Sequence, residues 1–511
     1  MNEPGRSPRG GFDATSVVLT VIAAGTIMRF ILASAIGLGV DESYAVVVAR
    51  QWSLSYFDHP PLHFWLAGLV ARLANTEAPA VVRLPFTLCF AATTWFMFRL
   101  TTRLFDERAG AVAAVLLNIS AVFSLSTGGW VLPDGPLMAL MMATSLLLVT
   151  ILFDEAPSYP LLRWAGAGLL AGLALLTKYH GVFLLAGTFV FLVSSAPHRR
   201  WLRTAGPYLG AVVAAICFLP VVLWNERHGW VSLVFQGGRA SGSGVHVGTM
   251  LTNIGGQAAW VLPWIWIPLV VAAWTALRAG PGDSRRWFLL CLGGGPVVVF
   301  TLVALRGNVG LPHWQAPGYL LFFPLLGAVV QQRLSAGDRV TRHWLELSVA
   351  TFVVLVFVLG SHTSTGSLAR LLPGAFTKGD PTADAVDWRL LRTALKQRGL
   401  LPIDGFVAAP SWIQAGKAGY GIGPDVPVLC LCADPHHFYY ASIDTTWLGR
   451  NAVIVEKVRP NDDVIAEFAP YFEQILPLDV IPITRGGQIV MDVAIYRARN
   501  FRRVFPTSQP R

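Results

Sequence analysis

Apolar runs long enough to cross a bilayer recur from Thr15 to Ser361, and no other feature constrains the fold of this chain so strongly. A helix needs roughly 20 predominantly apolar residues to cross the hydrocarbon. Candidate spans lie at Thr15–Gly39, Ala80–Leu100, Ala109–Thr127, Pro136–Phe153, Arg163–Thr177, Gly181–Ser195, Thr204–Trp224, Gly256–Leu277, Trp287–Leu305, Gly318–Gln331 and Trp344–Ser361. The expected architecture is a polytopic α-helical membrane protein of about eleven transmembrane helices. Composition agrees, with 54% hydrophobic and 13% charged residues, against roughly 25% charged in a soluble domain. That balance excludes a single soluble enzyme, a disordered chain and a nucleic-acid binder. The net charge of +10 comes from Arg and Lys scattered between apolar runs, the pattern of loops that orient a membrane protein.

The first run reads as a spanning helix rather than a cleaved leader, because it is long and no small-x-small site stands out. Pro61–Leu73 is apolar but too short to span. Placed on the membrane surface, it leaves thirteen arginines on the predicted cytoplasmic connections. The opposite loops then hold seven basic residues: Arg50, Arg72, Arg83, Lys178, Arg227, Arg239 and Arg306. This asymmetry follows the positive-inside rule and predicts interfacial helices over about 41–74. After Ser361 the pattern changes to short alternating strands and polar turns. Strands are expected at Gly405–Ala408, Val426–Cys430, Ala452–Glu456, Ile475–Ile481 and Ile489–Arg497, and helices at Asp387–Arg398 and Asp462–Phe472. The chain thus divides into a membrane domain, 1–365, and a soluble α/β domain, 366–511. The odd helix count puts the second outside the cytoplasm. Cys430 and Cys432 stand too close in sequence for an easy mutual disulfide and read as buried strand thiols.

Chemistry gathers on the predicted external face. The first loop opens with Asp41-Glu42 and ends Asp58-His59-Pro60-Pro61-Leu62, Asp134 follows a later span in Pro133-Asp134-Gly135-Pro136, and Lys178 stands alone among apolar residues. Carboxylates and a cation at a membrane surface suit an acceptor hydroxyl and a phosphate leaving group. Arg239 sits in a Gly/Ser-rich loop of the kind that orders on substrate. Asp58 with His59, His180 or His228 could hold a divalent metal, but the spacing is not diagnostic; the metal is left unknown and no cofactor is certain. A transporter or flippase is the rival class, against which stand the absence of matched broken helices or internal repeats and the boundary position of the acids. A non-catalytic membrane subunit is a third reading, which a dispensable Asp41 would favour.

The Asp-Glu pair after the first helix, the His-Pro-Pro-Leu loop end and the Pro-Asp-x-Pro motif resemble membrane glycosyltransferases of the GT-C type, family 39. That family includes the protein mannosyltransferases and lipid A aminoarabinose transferases. The resemblance covers roughly residues 15 to 330. It implies a GT-C fold and an inverting transfer of a sugar from a polyprenyl phosphate carrier. Asp41 would be the general base, Glu42 its acidic partner, and Asp134 a support for acceptor or base. The resemblance also extends through Leu176–Leu184, Trp224–Arg239 and Pro312–Tyr319. Lys178, Arg239 and His59 are the candidates for the donor phosphate; Asp58, Tyr179, His180, His228 and His313 for substrate contacts. Where relatives carry Glu-Lys before Pro-Pro, this chain carries Asp58-His59, so a lysine-like phosphate contact there is in doubt. The expected acceptor is an envelope lipid, polysaccharide or protein, with lipopolysaccharide-type glycans first, on the outer face of a bacterial inner membrane. With every acid and phosphate candidate before residue 320, the C-terminal domain is expected to modulate the acceptor rather than make the bond.

Overall fold

The computed structural model describes residues 13–308, 310–377, 379–401, 405–441, 444–458 and 463–506. The apolar runs fold as helices, several started by an aspartate that accepts an orphan backbone N–H. Asp13 does so for α1 (Ala14–Ala35). Two short helices follow, α2 (Val40–Val48) and α3 (Leu62–Leu73), the second on the segment expected to lie at the surface. Next come α4 (Pro79–Leu104), α5 (Glu107–Asn118), α6 (Asp134–Leu152), α7 (Pro160–Leu175), α8 (Val182–Ser194), α9 (Gly206–Arg227) and α10 (Val231–Ala240). Then follow α11 (Val247–Val261), α12 (Pro263–Ala279), α13 (Ser284–Leu305), α14 (Ala316–Leu320), α15 (Phe323–Ser335) and α16 (Arg339–Thr365). Asp106, Asp283 and Asp338 cap α5, α13 and α16 in the same way.

Among the described residues six helices, α1, α4, α6, α9, α13 and α16, are long and apolar enough to cross a membrane. Their outer faces stay apolar: Ile31 on α1, Ile216 on α9 and Phe357 on α16 are 61%, 63% and 75% exposed. Side chains of that kind suit lipid rather than water. The chain is a multi-pass membrane protein.

Three expected spans are interrupted, Gly318–Gln331 by a turn at Leu321 and Phe322 between α14 and α15. The segment expected to end at Thr127 is α-helical only to Asn118. The Asn118 side chain donates to Ala114 O (2.9 Å) and Thr94 Oγ1 (3.0 Å), and Val122–Thr127 then turns as a π-helix. The span expected at Gly256–Leu277 is instead α11 and α12, bent by 109°. Leu262 at the bend has φ +82 and precedes Pro263. Proline has no N–H and disfavours helical geometry at the residue before it, and here Leu262 leaves the helical region.

Beyond α17 (Ser367–Leu371) and α18 (Leu390–Gln397), the C-terminal part forms one five-stranded sheet. Its strands are β1 (Gly405–Ala409), β2 (Val428–Cys430), β3 (Asn451–Lys457), β4 (Phe472–Arg485) and β5 (Gln488–Phe501), in spatial order β2-β1-β3-β5-β4. β1 runs parallel to β2 and β3, and β5 antiparallel to β3 and β4. Cys430 and Cys432 are buried and are not joined by a disulfide, their sulfurs lying 2.7 Å apart. The helix expected at Asp462–Phe472 is α21 (Val464–Phe468), after α19 (Trp412–Ile422) and α20 (Phe438–Ala441); Asp462, like the N-terminal Arg6 and Arg9, lies outside the described residues.

No helix was expected at α19, which contains Gly416 and Gly419, glycine being a poor helix former. Their reason is tertiary, because α19 lies directly on α2. A Cβ on Gly416 would stand 2.9 Å from Tyr44 Cα, and one on Gly419 3.2 Å from the Val47 side chain. Beside them the buried Lys417 ammonium donates to the carbonyls of Leu38 (2.6 Å), Asp384 (2.5 Å) and Val386 (3.1 Å). Gly416→Val should therefore force the two elements apart, at about 1–3 kcal/mol. A drop in thermal unfolding temperature with increased protease cleavage after residue 366 is the expected result; unchanged stability would show that α19 yields without cost.

Candidate active site

A cavity of about 1570 Å³ opens between the helices and the C-terminal part. It takes in Asp41, Asp58, His59, Asp134, Lys178, Tyr179, His180, Arg239 and His313, together with Trp412, Asp434 and His436. His228 is the candidate it leaves out. That ring stacks on Trp224 at 4.2 Å and opens instead to a separate cleft of about 310 Å³. The chain reverses through Gly229 and Trp230, both at positive φ, after α9, which turns His228 away from the substrate side.

α2 sets the first acids. Glu42, in its first turn, reaches back to the Gly39 N–H at 2.9 Å, one half of a capping box. The same carboxylate takes Arg83 Nε and Nη2 at 2.8 and 2.6 Å and the Val131 N–H at 3.0 Å. With four donors on two buried oxygens, Glu42 is a tie between α2, α4 and the segment before α6; it has no oxygen left to act as an acidic partner in proton transfer. Asp41, one residue earlier and about 100° around the helix, accepts no hydrogen bond among the described residues and opens to the cavity. Enclosure in the cavity wall, then the Asp58 and Glu42 carboxylates, hold Asp41 above the ordinary carboxylate range.

Asp134 opens α6 directly after Pro133, its charge at the positive end of the helix dipole. Lys178 Nζ donates to both its oxygens, at 2.9 and 3.1 Å, and both residues are buried. The lysine expected to stand free for phosphate therefore has a counter-ion. The Leu62 N–H donates to Leu176 O at 2.8 Å, which joins the His-Pro-Pro-Leu loop end to the segment that carries Lys178.

Asp58 is likewise taken. Tyr44 Oη donates to one of its oxygens and His436 Nδ1 pairs with the other. The metal set of Asp58 with His59, His180 or His228 is thus not assembled, and among the described residues no group of three or more His, Cys, Asp or Glu side chains stands ready for a metal ion. Burial and then the Lys178 ammonium push the His59 imidazole down to about 4. It enters the site neutral, able to share a hydrogen bond but bringing no cation for phosphate. His313 is also held down to about 4, mainly by burial. His180 stacks on Phe300 at 4.6 Å, and Tyr179 meets Phe218 edge-on.

Arg239 differs from the other cations here. No carboxylate among the described residues closes on it to ion-pair distance, and its guanidinium lies over Phe235 and Trp314, at 5.5 and 5.1 Å. Asp58 and Asp41 are the charges it feels. The arrangement thus sets an unpaired carboxylate and an unpaired guanidinium in one cavity whose remaining acids on the membrane side are neutralised, a base and a cation free to act on a substrate.

Sequence reasoning missed Arg83, Tyr44, Trp412 and His436. Arg83 had been counted as a loop charge, although a basic residue within an apolar run was itself a signal. His436 and Trp412 had none, since only folding brings them to a loop almost 380 residues earlier in the chain.

Residues 58–224 match the family described as dolichyl-phosphate-mannose-protein mannosyltransferase. The lipid A galacturonosyltransferase RgtD of Rhizobium johnstonii is 25% identical over 319 residues, 61% of this chain and 64% of that protein. An undecaprenyl phosphate-α-4-amino-4-deoxy-L-arabinose arabinosyl transferase of Pseudomonas fluorescens is 26% identical over 57% of this chain and 50% of its own length. The chain thus spans one half to just under two thirds of these curated relatives. In overall fold it resembles the crystal structure of ArnT from Cupriavidus metallidurans bound to undecaprenyl phosphate, with a TM-score of 0.62 at 16% identity, covering 95% of this chain and 98% of that one.

Proposed function

We propose that this chain, which carries the mannosyltransferase family domain over residues 58–224, is a membrane glycosyltransferase that moves a sugar from a polyprenyl phosphate carrier to an envelope acceptor. Lipid A is the first acceptor on this reading, since the RgtD relative is named for it. The observation that carries the reading is Asp41 facing the same cavity as Arg239, neither held in an ion pair among the described residues. A polyprenyl phosphate sugar brings its own leaving group, so the protein need supply only a base for the acceptor and a cation for the departing phosphate. Asp41 takes the acceptor proton, the acceptor oxygen attacks the anomeric carbon, and the phosphate leaves toward Arg239. A single displacement inverts the anomeric configuration. Asp134 with Lys178 supports the wall beside the base, and the neutral His59, His180 and His313 are hydrogen-bonding groups for sugar or acceptor. The reading retains eleven crossings, a membrane domain of 1–365, and a periplasmic domain of 366–511 on the outer face of a bacterial inner membrane. A transporter gains no support from the relatives. The decisive experiment gives the purified chain, in lipid vesicles, a polyprenyl phosphate bearing a labelled sugar with lipid A as acceptor. Label appearing on lipid A supports the reading, and none appearing with folded protein would sink it.

Two results are expected from that assay. Asp41 must be ionised to accept a proton, and its carboxyl is held above the ordinary range. Rate should therefore fall as pH drops through a value above that of an ordinary aspartate, and an acid limb at or below the ordinary value would argue for a different base. Arg239→Gln should cost about 1.5–3 kcal/mol of donor binding, the range of a charge-assisted hydrogen bond, read as a raised donor KM in a protein of unchanged stability. Arg239 lies in the last turn of α10 and not in the expected loop, and an unchanged KM would reduce it to a packing contact on Phe235 and Trp314.

A further inference from the structure

We propose that His436, supplied by the C-terminal part, is a positioning residue of this site: it holds Asp58 in place and offsets its charge beside Asp41. The inference rests on the transferase reading above. Both ring nitrogens of His436 meet carboxylates, Nδ1 at Asp58 and Nε2 at Asp434, the latter at 3.3 Å. A carboxylate within ion-pair distance of each ring nitrogen favours the imidazolium form.

The next residue completes the grip. Tyr44 Oη, which donates to Asp58, accepts the His437 N–H at 3.0 Å, and the Phe57 N–H donates to His437 Nδ1 at 3.2 Å. Two consecutive histidines from beyond β2 thereby clasp the loop that ends at His59-Pro60-Pro61. His436 itself has φ +53, a left-handed conformation that a non-glycine residue keeps only when its surroundings hold it. Trp412 does so by stacking on the ring at 4.5 Å and 22°.

The electrostatic consequence falls on Asp41. Asp58 and Glu42 disfavour its ionised form, while His436 and Arg239 favour it; Glu42 is already neutralised by Arg83. His436 in turn faces Asp58, Asp434 and the Cys432 thiol, with the Tyr44 ring on edge. Removing the imidazolium while Asp58 remains leaves beside the base a carboxylate with no cation on it, held by the Tyr44 hydroxyl. Removing both charges restores the balance.

The test compares wild type, His436→Gln, Asp58→Asn and the double variant, each as the full chain in lipid vesicles with the labelled polyprenyl phosphate donor across pH. His436→Gln should lose roughly tenfold to a hundredfold in kcat, with the acid limb of its pH profile raised by about one unit. The double variant should bring the limb back toward wild type even though its rate stays low. A folded His436→Gln protein that loses rate without moving the limb, or that turns over like wild type, overturns the proposal. Should His436→Gln not fold, His436→Lys replaces it: a cation there should keep the wild-type limb, and a displaced limb counts against the proposal. Nitrogen NMR of histidine-labelled protein is independent of turnover. An imidazolium signal above the ordinary histidine range, absent from the His436 variant, supports the pairing, and no such signal overturns it. A wild type that uses no polyprenyl phosphate donor defeats the transferase reading alone, and the NMR arm still decides the pairing.

Discussion

Asp41→Asn is expected to abolish transfer while leaving the chain folded and inserted. The amide keeps the size of the carboxylate but cannot accept the acceptor's proton, and general-base work of this kind is worth about 10² to 10⁴ in rate. Folding should be indifferent, because Asp41 accepts no hydrogen bond among the described residues and faces open space in the cavity. That separates it from its neighbours. Asp134→Asn would leave the Lys178 ammonium buried without its counter-ion, and Glu42→Gln would do the same to Arg83, so either variant can lose activity through structure. The measurement is single-turnover transfer at matched, folded protein, with donor binding recorded alongside. Donor binding near wild type with transfer gone is the expected pair of results. A rate within about threefold of wild type would remove Asp41 from the base role, since losing a group that acts in the transition state lowers kcat directly.

Arg83→Met is expected to be the most destabilising single change at the site, at about 3–5 kcal/mol, the cost of stranding one member of a buried ion pair. Arg83 does more than neutralise Glu42. Its Nη1 donates to Ile36 O at 2.7 Å and its Nη2 to Gly37 O at 2.7 Å, satisfying carbonyls left open where α1 ends. The same guanidinium therefore closes one helix and anchors the next, across the short turn that aims Asp41. Methionine fills similar volume but offers nothing to either set of acceptors. The double variant Arg83→Met with Glu42→Gln should recover a large part of the loss, because the stranded charge is then gone while the carbonyls stay unmet. Chemical unfolding in detergent of the two singles and the double reads this directly. Equal stability of Arg83→Met and wild type would mean that water reaches Glu42 and screens it.

Of the seven basic residues assigned to the outer loops, Arg50, Arg83 and Lys178 are held in ion pairs with Glu77, Glu42 and Asp134. Arg83 and Lys178 line the cavity wall, while Arg50 ties the end of α2 to Glu77 outside it.

Helical apolar runs, a short helix at Leu62–Leu73, the five strands and the acids of the first loop were all legible in the chain, because each is local. Hydrophobic length identifies a spanning helix without reference to any neighbour, and alternation identifies a strand. Which charges are free and which are spent could not be read this way. Asp41 and Glu42 are adjacent and alike in sequence, yet one opens to the cavity and the other is saturated, since successive helix positions point about 100° apart and only one of these meets Arg83. Lys178 and Asp134 looked like two separate functional groups until the fold made them one pair. α19 was not read as a helix, and only its packing on α2 accounts for Gly416 and Gly419. His436 shares no local signal with Asp58. A pairing between residues so far apart depends on where folding brings two side chains together, and that was decided by the docking of the sheet onto the helices, not by either stretch of sequence.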